Sequence, residues 1–146
     1  DILKSRRGRI VNVSSAFGVM SAPGYSAYNS SKFAVRGFTE ALNQELRLTS
    51  RTARATCVIP GGIKTSIART ARAAPGVDQA RTADLFDSRI ARTTPREAAR
   101  KIIAGAWKGK SQVTIGNDAR LVDVTTRVLG PHYQQLLPTL QALRRR

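Results

Sequence analysis

Cysteine, aromatic residues and acidic residues are all scarce in this sequence of 146 residues. The one cysteine, Cys57, can close no disulfide within the chain and can build no zinc site by itself, which favours a reducing compartment. No apolar run approaches the roughly 18 residues that a membrane span needs, and the first residues lack the apolar core of a signal peptide. We therefore expect a cytoplasmic protein with no membrane partner and no metal site.

Acidic residues number 9 against 25 lysines and arginines, which gives a net charge of +16. Such a balance occurs in nucleic-acid-binding proteins. The cations are dispersed along the chain, however, and aromatic residues that could stack on bases make up only 5%. We therefore predict no specific nucleic-acid partner, and a basic nucleic-acid-binding protein stays as an alternative.

Hydrophobic residues make up 41% of the chain, enough to bury the core of one domain. Short runs rich in β-branched residues predict strands over residues 9–13, 55–59 and 113–115. Apolar residues recur at three- and four-residue steps over 26–48 and predict a helix there with an apolar stripe. The residues of this stripe are Phe33, Ala34, Phe38, Ala41, Leu42 and Leu46. Thr94 and Pro95 form a helix start, so we predict a helix over 95–108. We also predict a helix over 118–129, which Gly130 and Pro131 end, and a last helix over 132–146. Residues 69–83 are polar, and we predict a mobile segment there.

Strands that alternate with helices in this order are typical of a parallel sheet with crossover helices. A complete dinucleotide-binding sheet has about six strands, and this chain has three. We therefore predict an α/β fold: a partial Rossmann-like doubly wound parallel sheet, corresponding to its C-terminal half.

The densest group of polar residues follows the first strand, where ligands bind in open α/β sheets. Ser14 and Ser15 lie at that strand end, and Tyr28 and Lys32 are four residues apart on one helix face. A phenol, with an ordinary pKa of about 10, is a poor base at neutral pH. A neighbouring ammonium group stabilises the phenolate, so this pairing predicts a usable general acid and base.

Three motifs together resemble the short-chain dehydrogenase/reductase family. They are Asn12-Val13-Ser14-Ser15, Tyr28-x-x-x-Lys32 and Pro60-Gly61-Gly62-Ile63-Lys64-Thr65. In that family the strand-end serine precedes the tyrosine by thirteen residues, and Ser15 stands at that distance from Tyr28. The resemblance covers nearly the whole chain, as the C-terminal part of such an enzyme, and actinobacterial members are the most similar.

The resemblance implies hydride transfer between NAD or NADP and a small-molecule carbonyl or alcohol. Tyr28 would exchange the proton with the substrate oxygen, and Ser15 would orient that oxygen. Lys32 would assist the tyrosine and hold the nicotinamide ribose. Further cofactor contacts would come from the turn after the second strand, namely Pro60, Gly61, Ile63 and Thr65.

The resemblance also implies boundaries and partners. We expect residues 1–146 to form a single incomplete domain, with 66–94 as the substrate loop and with homo-oligomers formed through the helix that starts near Tyr28. The family's glycine-rich pyrophosphate turn is missing and the chain lacks an initial methionine, so we expect it to begin inside a longer protein.

A non-catalytic remnant that acts only through subunit association is the other alternative. We expect Ser14 to be structural, Cys57 buried, Trp107 in the core or an interface, and His132 on the surface.

Overall fold

The three predicted strands form one parallel sheet in the computed structural model, which describes residues 7–135. Strand β1 is Arg9–Val13, β2 is Arg54–Pro60 and β3 is Gln112–Ile115, and their order in the sheet is β1-β2-β3. The central strand β2 thus pairs with β1 on one side and β3 on the other. The predicted α/β class and parallel sheet are confirmed.

Five helices accompany the strands within residues 7–135. They are α1 (Ser26–Thr49), α2 (Ile67–Thr70), α3 (Gln79–Leu85), α4 (Pro95–Trp107) and α5 (Asn117–Leu129). The predicted start of α4 is confirmed, because the Thr94 side chain accepts a hydrogen bond from the Glu97 N–H at 3.2 Å and Pro95 occupies the first turn. No described helix is long and apolar enough to cross a membrane.

Strand β2 is buried on both faces, which explains its nearly continuous apolar sequence. On one face Val58 packs with Ala98 of α4 and with Val113 and Ile115 of β3. On the other face Cys57 and Ile59 pack with Val19 and Val122, while Ala55 packs with Leu46 of α1. Helices therefore cover both faces of the sheet, as in a doubly wound fold.

Most of the apolar stripe predicted on α1 does not face the core, and only its end at Leu42 and Leu46 packs against Ala53 and Ala55. Phe38 is 63% exposed, Phe33 is 39% exposed, and only Leu46 of the stripe is buried. The inward face is instead polar: Asn43 accepts the Ala55 N–H at 3.1 Å, and Thr39 accepts a hydrogen bond from Asn12 at 3.1 Å. Periodicity predicted the helix correctly, but it does not say which partner covers an apolar face.

Residues 69–83, for which we predicted a polar and mobile segment, contain helical structure. Helix α2 ends within this range, and α3 begins where the Asp78 carboxylate caps the Arg81 N–H at 2.9 Å. The Gln79 side chain donates to the carbonyl of Ala68 and so ties α3 to α2. A π-helical turn over Phe86–Ile90 then leads towards α4.

The C-terminal prediction is tested only in part. Residues Gly130–Gln135 form a 3-10 helix, and the remainder of the predicted 132–146 helix lies outside the described residues. His132 is exposed, as predicted. Trp107 is 57% exposed, so of the two predicted locations the core is wrong, and an interface stays a prediction.

Cys57 provides a test of this packing. The thiol is 1% exposed, and burial, with a smaller effect of Glu40, raises its pKa to about 11. At about pH 8 its thiolate fraction is therefore about one hundredth of that of an exposed thiol, and we expect alkylation to be at least that much slower in native buffer than in urea. Stability from this burial is complete below the unfolded pKa and declines as the pH rises towards about 11. Equal labelling rates in the two solvents would contradict the fold.

Candidate active site

The carboxyl ends of all three strands lie at one edge of the sheet because the strands are parallel. Ser14 and Ser15 follow β1, the turn over 60–62 ends β2, and Gly116 follows β3. The predicted site residues from the first two of these segments therefore share this edge.

The two adjacent serines have different roles at the end of β1. The Ser14 hydroxyl is buried and donates to the Lys32 carbonyl at 2.7 Å, so it ties β1 to α1, in line with the predicted structural role. The Ser15 oxygen accepts the Phe17 N–H at 3.1 Å and caps the 3-10 turn over Ala16–Gly18. Because it acts there as an acceptor, its hydroxyl proton stays available to another partner.

Tyr28 and Lys32 lie one turn apart on the exposed start of α1. The Lys32 Nζ is 5.6 Å from the centre of the Tyr28 ring and donates to the Val13 carbonyl at 3.2 Å. The Tyr28 ring also packs edge-on against Phe17, with ring centres 6.2 Å apart. Phe17 thus contacts both Ser15 and Tyr28, while Lys32 links Tyr28 to the end of β1.

The turn after β2 is held by backbone hydrogen bonds. The Gly61 N–H donates to the Ile115 carbonyl at 2.9 Å, and the Gly62 carbonyl accepts from the N–H groups of Arg92 and Thr93 at 3.1 and 3.2 Å. The Lys64 N–H donates to the Thr93 carbonyl at 2.9 Å, which completes a parallel bridge between Ile63 and Thr93.

This bridge leaves one backbone group at the site available. In a parallel bridge of this pattern the peptide groups of the central residue, here Ile63, point away from the partner strand. Among the described residues, the Ile63 N–H has no hydrogen-bond partner, and Ile63 is only half-buried. Thr65, two residues later, is exposed at the start of the 66–94 segment.

Sequence reasoning missed one residue at this edge. The Asp118 carboxylate, in the first turn of α5, accepts the Gly62 N–H at 2.6 Å. Its partner lies 56 residues earlier in the chain, so no local pattern indicates the contact. The available signal was an acidic residue directly after a strand end, at the edge where the other site residues meet.

The 66–94 segment is tied together by an ion pair. Arg69 of α2 and Asp87 of the π-helical turn approach to 2.7 Å, and this hydrogen bond raises the pKa of the Arg69 guanidinium. The pair holds α2 against the segment that follows α3, so residues 66–94 have internal structure of their own.

Comparisons with known proteins identify the family to which this chain belongs. A family model described as short chain dehydrogenase matches residues 1–76. SadH, an oxidoreductase of Mycobacterium tuberculosis, is 49% identical over 136 residues, which cover 93% of this chain and 49% of that protein. Mouse 3-ketodihydrosphingosine reductase is 33% identical over 135 residues, covering 88% of this chain and 37% of that enzyme. The chain belongs to the short-chain dehydrogenase/reductase family.

Solved structures show the same fold. A short-chain dehydrogenase of Burkholderia cenocepacia in complex with NADP is 25% identical, with a TM-score of 0.65 over 94% of this chain and 49% of that one. A relative from Burkholderia phymatum in complex with NAD is 23% identical, with a TM-score of 0.71 over 88% of this chain and 49% of that one. The chain spans half or less of the length of the relatives described here.

Proposed function

We propose that this chain carries the acid–base site of an NAD(P)-dependent oxidoreductase that exchanges hydride with a carbonyl or alcohol. The supporting observation is the contact of Lys32 Nζ with the Tyr28 ring, at 5.6 Å from its centre, while the same ammonium is anchored on the Val13 carbonyl. The ammonium therefore lies between the phenol and the end of β1, where a substrate oxygen and a cofactor ribose could both reach it.

Proton transfer and substrate orientation are divided between two hydroxyls. In the reductive direction the Tyr28 hydroxyl gives its proton to the carbonyl oxygen as that oxygen gains charge. The Ser15 hydroxyl proton, left available by the hydrogen bond from Phe17, donates to the same oxygen. Lys32 uses one N–H on Val13 and has two further donors to offer.

The turn after β2 fits a nicotinamide cofactor. The Ile63 N–H lacks a partner among the described residues and suits the carboxamide oxygen, with Thr65 as a second polar contact. Pro60 and Gly61 would contact the ring, and Lys32 would donate to the ribose hydroxyls. The bound cofactor, NAD or NADP, supplies or accepts the hydride.

Residues 66–94 are proposed as the substrate loop, within a single incomplete domain over 1–146. The segment starts beside Thr65 and returns to the site at Thr93, where its backbone is hydrogen-bonded to Gly62 and Lys64 in the turn after β2. Its position next to the turn suits the recognition of a small-molecule carbonyl or alcohol. The buried single thiol of Cys57 supports a reducing, cytoplasmic setting.

Self-association is proposed through α1. Phe33 and Phe38 are both exposed on this helix, and exposed apolar side chains that lie close together often mark contacts between proteins. Analytical ultracentrifugation tests this, since a monomer at all concentrations would contradict it.

Oxidation of NADH and NADPH with a panel of ketones and aldehydes tests the proposed activity, and two serine variants make the test specific. We expect Ser15→Ala to lower kcat/KM about a hundredfold, because it removes a donor to the charged oxygen. Ser14→Ala is the matched control. It removes the bond to the Lys32 carbonyl, so we expect a loss of about 1 kcal/mol of stability and little change in kcat. Equal effects of both variants on kcat/KM at full folding would contradict the assignment of Ser15.

A further inference from the structure

The Asp118 carboxylate lies close to the backbone of two strand ends, although the residue itself is exposed. A Cβ atom added at either Gly61 or Gly116 would overlap the carboxylate. Gly116 also has a φ of +93°, a conformation that favours glycine. Both glycines therefore allow close approach of the main chain to this one side chain.

Both backbone groups of Gly62, its N–H and its carbonyl, are hydrogen-bonded. Its carbonyl accepts from Arg92 and Thr93, while its N–H donates to Asp118 at 2.6 Å. Among the described residues, Asp118 is the only side chain that bonds to the backbone of Gly61, Gly62 or Ile63. A hydrogen bond to an ionised acceptor is about twice as strong as a neutral one, so this contact fixes the turn more firmly than the backbone bonds alone.

No ion pair is found for Asp118 within the part of the chain that the structure describes. The other aspartate of α5, Asp123, is instead paired with Arg127 at 3.0 Å. The two acids of α5 thus differ: one is bound to a cation on its own helix, and the other reaches the turn after β2.

We propose that Asp118 is a positioning residue for the nicotinamide end of the cofactor. Its carboxylate holds the N–H of Gly62. Gly62 directly precedes Ile63, whose N–H is available to the carboxamide. Through this hydrogen bond, α5 and the end of β3 set the position of the turn after β2 relative to Tyr28. This inference rests on the function proposed above.

Two substitutions of Asp118 differ in whether they keep an acceptor for the Gly62 N–H. Asp118→Asn keeps an oxygen that can accept the Gly62 N–H, whereas Asp118→Ala leaves that N–H without its partner. Asp123→Ala is the matched control, because it removes an acid from the same helix and leaves the turn intact.

The test measures the Gly62 amide exchange rate by NMR, and the affinities for NADH and NADPH by fluorescence, in the expressed protein. We expect Asp118→Ala to speed Gly62 exchange at least about tenfold and to weaken cofactor binding about tenfold. Asp118→Asn should restore most of both values, and Asp123→Ala should change neither beyond about twofold.

The outcomes distinguish the two proposals. If the unsubstituted protein binds neither NADH nor NADPH, the proposed function fails, and the role of Asp118 fails with it. If the protein binds cofactor and Asp118→Ala binds it equally well, the proposed function stands and the role of Asp118 is overturned, whatever happens to amide exchange. A lower melting temperature with unchanged affinity of the folded fraction would show that Asp118 is structural only, which also overturns the proposal.

Discussion

Replacing Tyr28 with phenylalanine is expected to lower kcat/KM about a thousandfold, because it removes the proton that the substrate oxygen receives. The ring and its packing against Phe17 stay, so folding and cofactor affinity should change little. Steady-state kinetics with NADH and NADPH measure the loss, and circular dichroism verifies the fold.

Tyr25→Phe is the matched control for this substitution. Tyr25 also packs against Phe17, with ring centres 5.3 Å apart, and its exposure of 43% is close to the 39% of Tyr28. Four residues after it stands Asn29 rather than a lysine. We therefore expect Tyr25→Phe to keep its activity within about threefold. Equal losses in both variants would show that the phenol of Tyr28 has no special chemical role.

Replacing Lys32 with methionine is expected to lower kcat/KM about a hundredfold and to change cofactor binding as well. Methionine keeps much of the aliphatic packing, but it loses the cation beside the Tyr28 ring and the bond to the Val13 carbonyl. Because Lys32 is also proposed to hold the ribose, KM for the cofactor should rise as kcat falls.

Lys101→Met controls for the loss of a helical lysine elsewhere. Lys101 pairs with Glu97 at 2.7 Å on the exposed surface of α4, far along the chain from the site. That pair lowers the pKa of Glu97 without touching the strand ends, so the variant should keep its kcat and KM. A Lys32→Met enzyme as active as the Lys101→Met enzyme would contradict the role of Lys32.

The strands could be predicted because their burial pattern appears directly in the sequence. Strand β2 is buried on both faces, and its apolar run predicted residues 55–59 to within a residue of its ends. The start of α4 was equally clear, because Thr94 and Pro95 make local contacts that local sequence can encode. These features depend on neighbours within a few residues.

Features that depend on distant partners could not be predicted in this way. The periodicity of α1 gave the helix but not its orientation: Phe33 and Phe38 are exposed, while Asn43 and Thr39 bond to the sheet. The contact of Asp118 with Gly62 joins two segments that only the parallel sheet brings together. Helix α3 went unpredicted because its residues are polar and Ala-rich, although Asp78 is a recognisable cap.

The candidate site was predicted from spacing rather than from packing. The choice of Ser15 over Ser14 rested on family resemblance, and the hydrogen bonds give a physical counterpart: the Ser14 proton is used by the Lys32 carbonyl, and the Ser15 proton is not used by Phe17. The availability of the Ile63 N–H required the bridge to Thr93 to be seen.

Direct transfer of hydride between the cofactor and the substrate carbon defines the proposed activity, and isotope labelling follows that transfer. The protein is incubated with a carbonyl substrate and with NADH or NADPH that carries deuterium on the transferable position of the ring. We expect deuterium on the carbinol carbon of the product, at a rate that Tyr28→Phe lowers about a thousandfold. Product without deuterium, or no product from any carbonyl with either cofactor, would contradict the account.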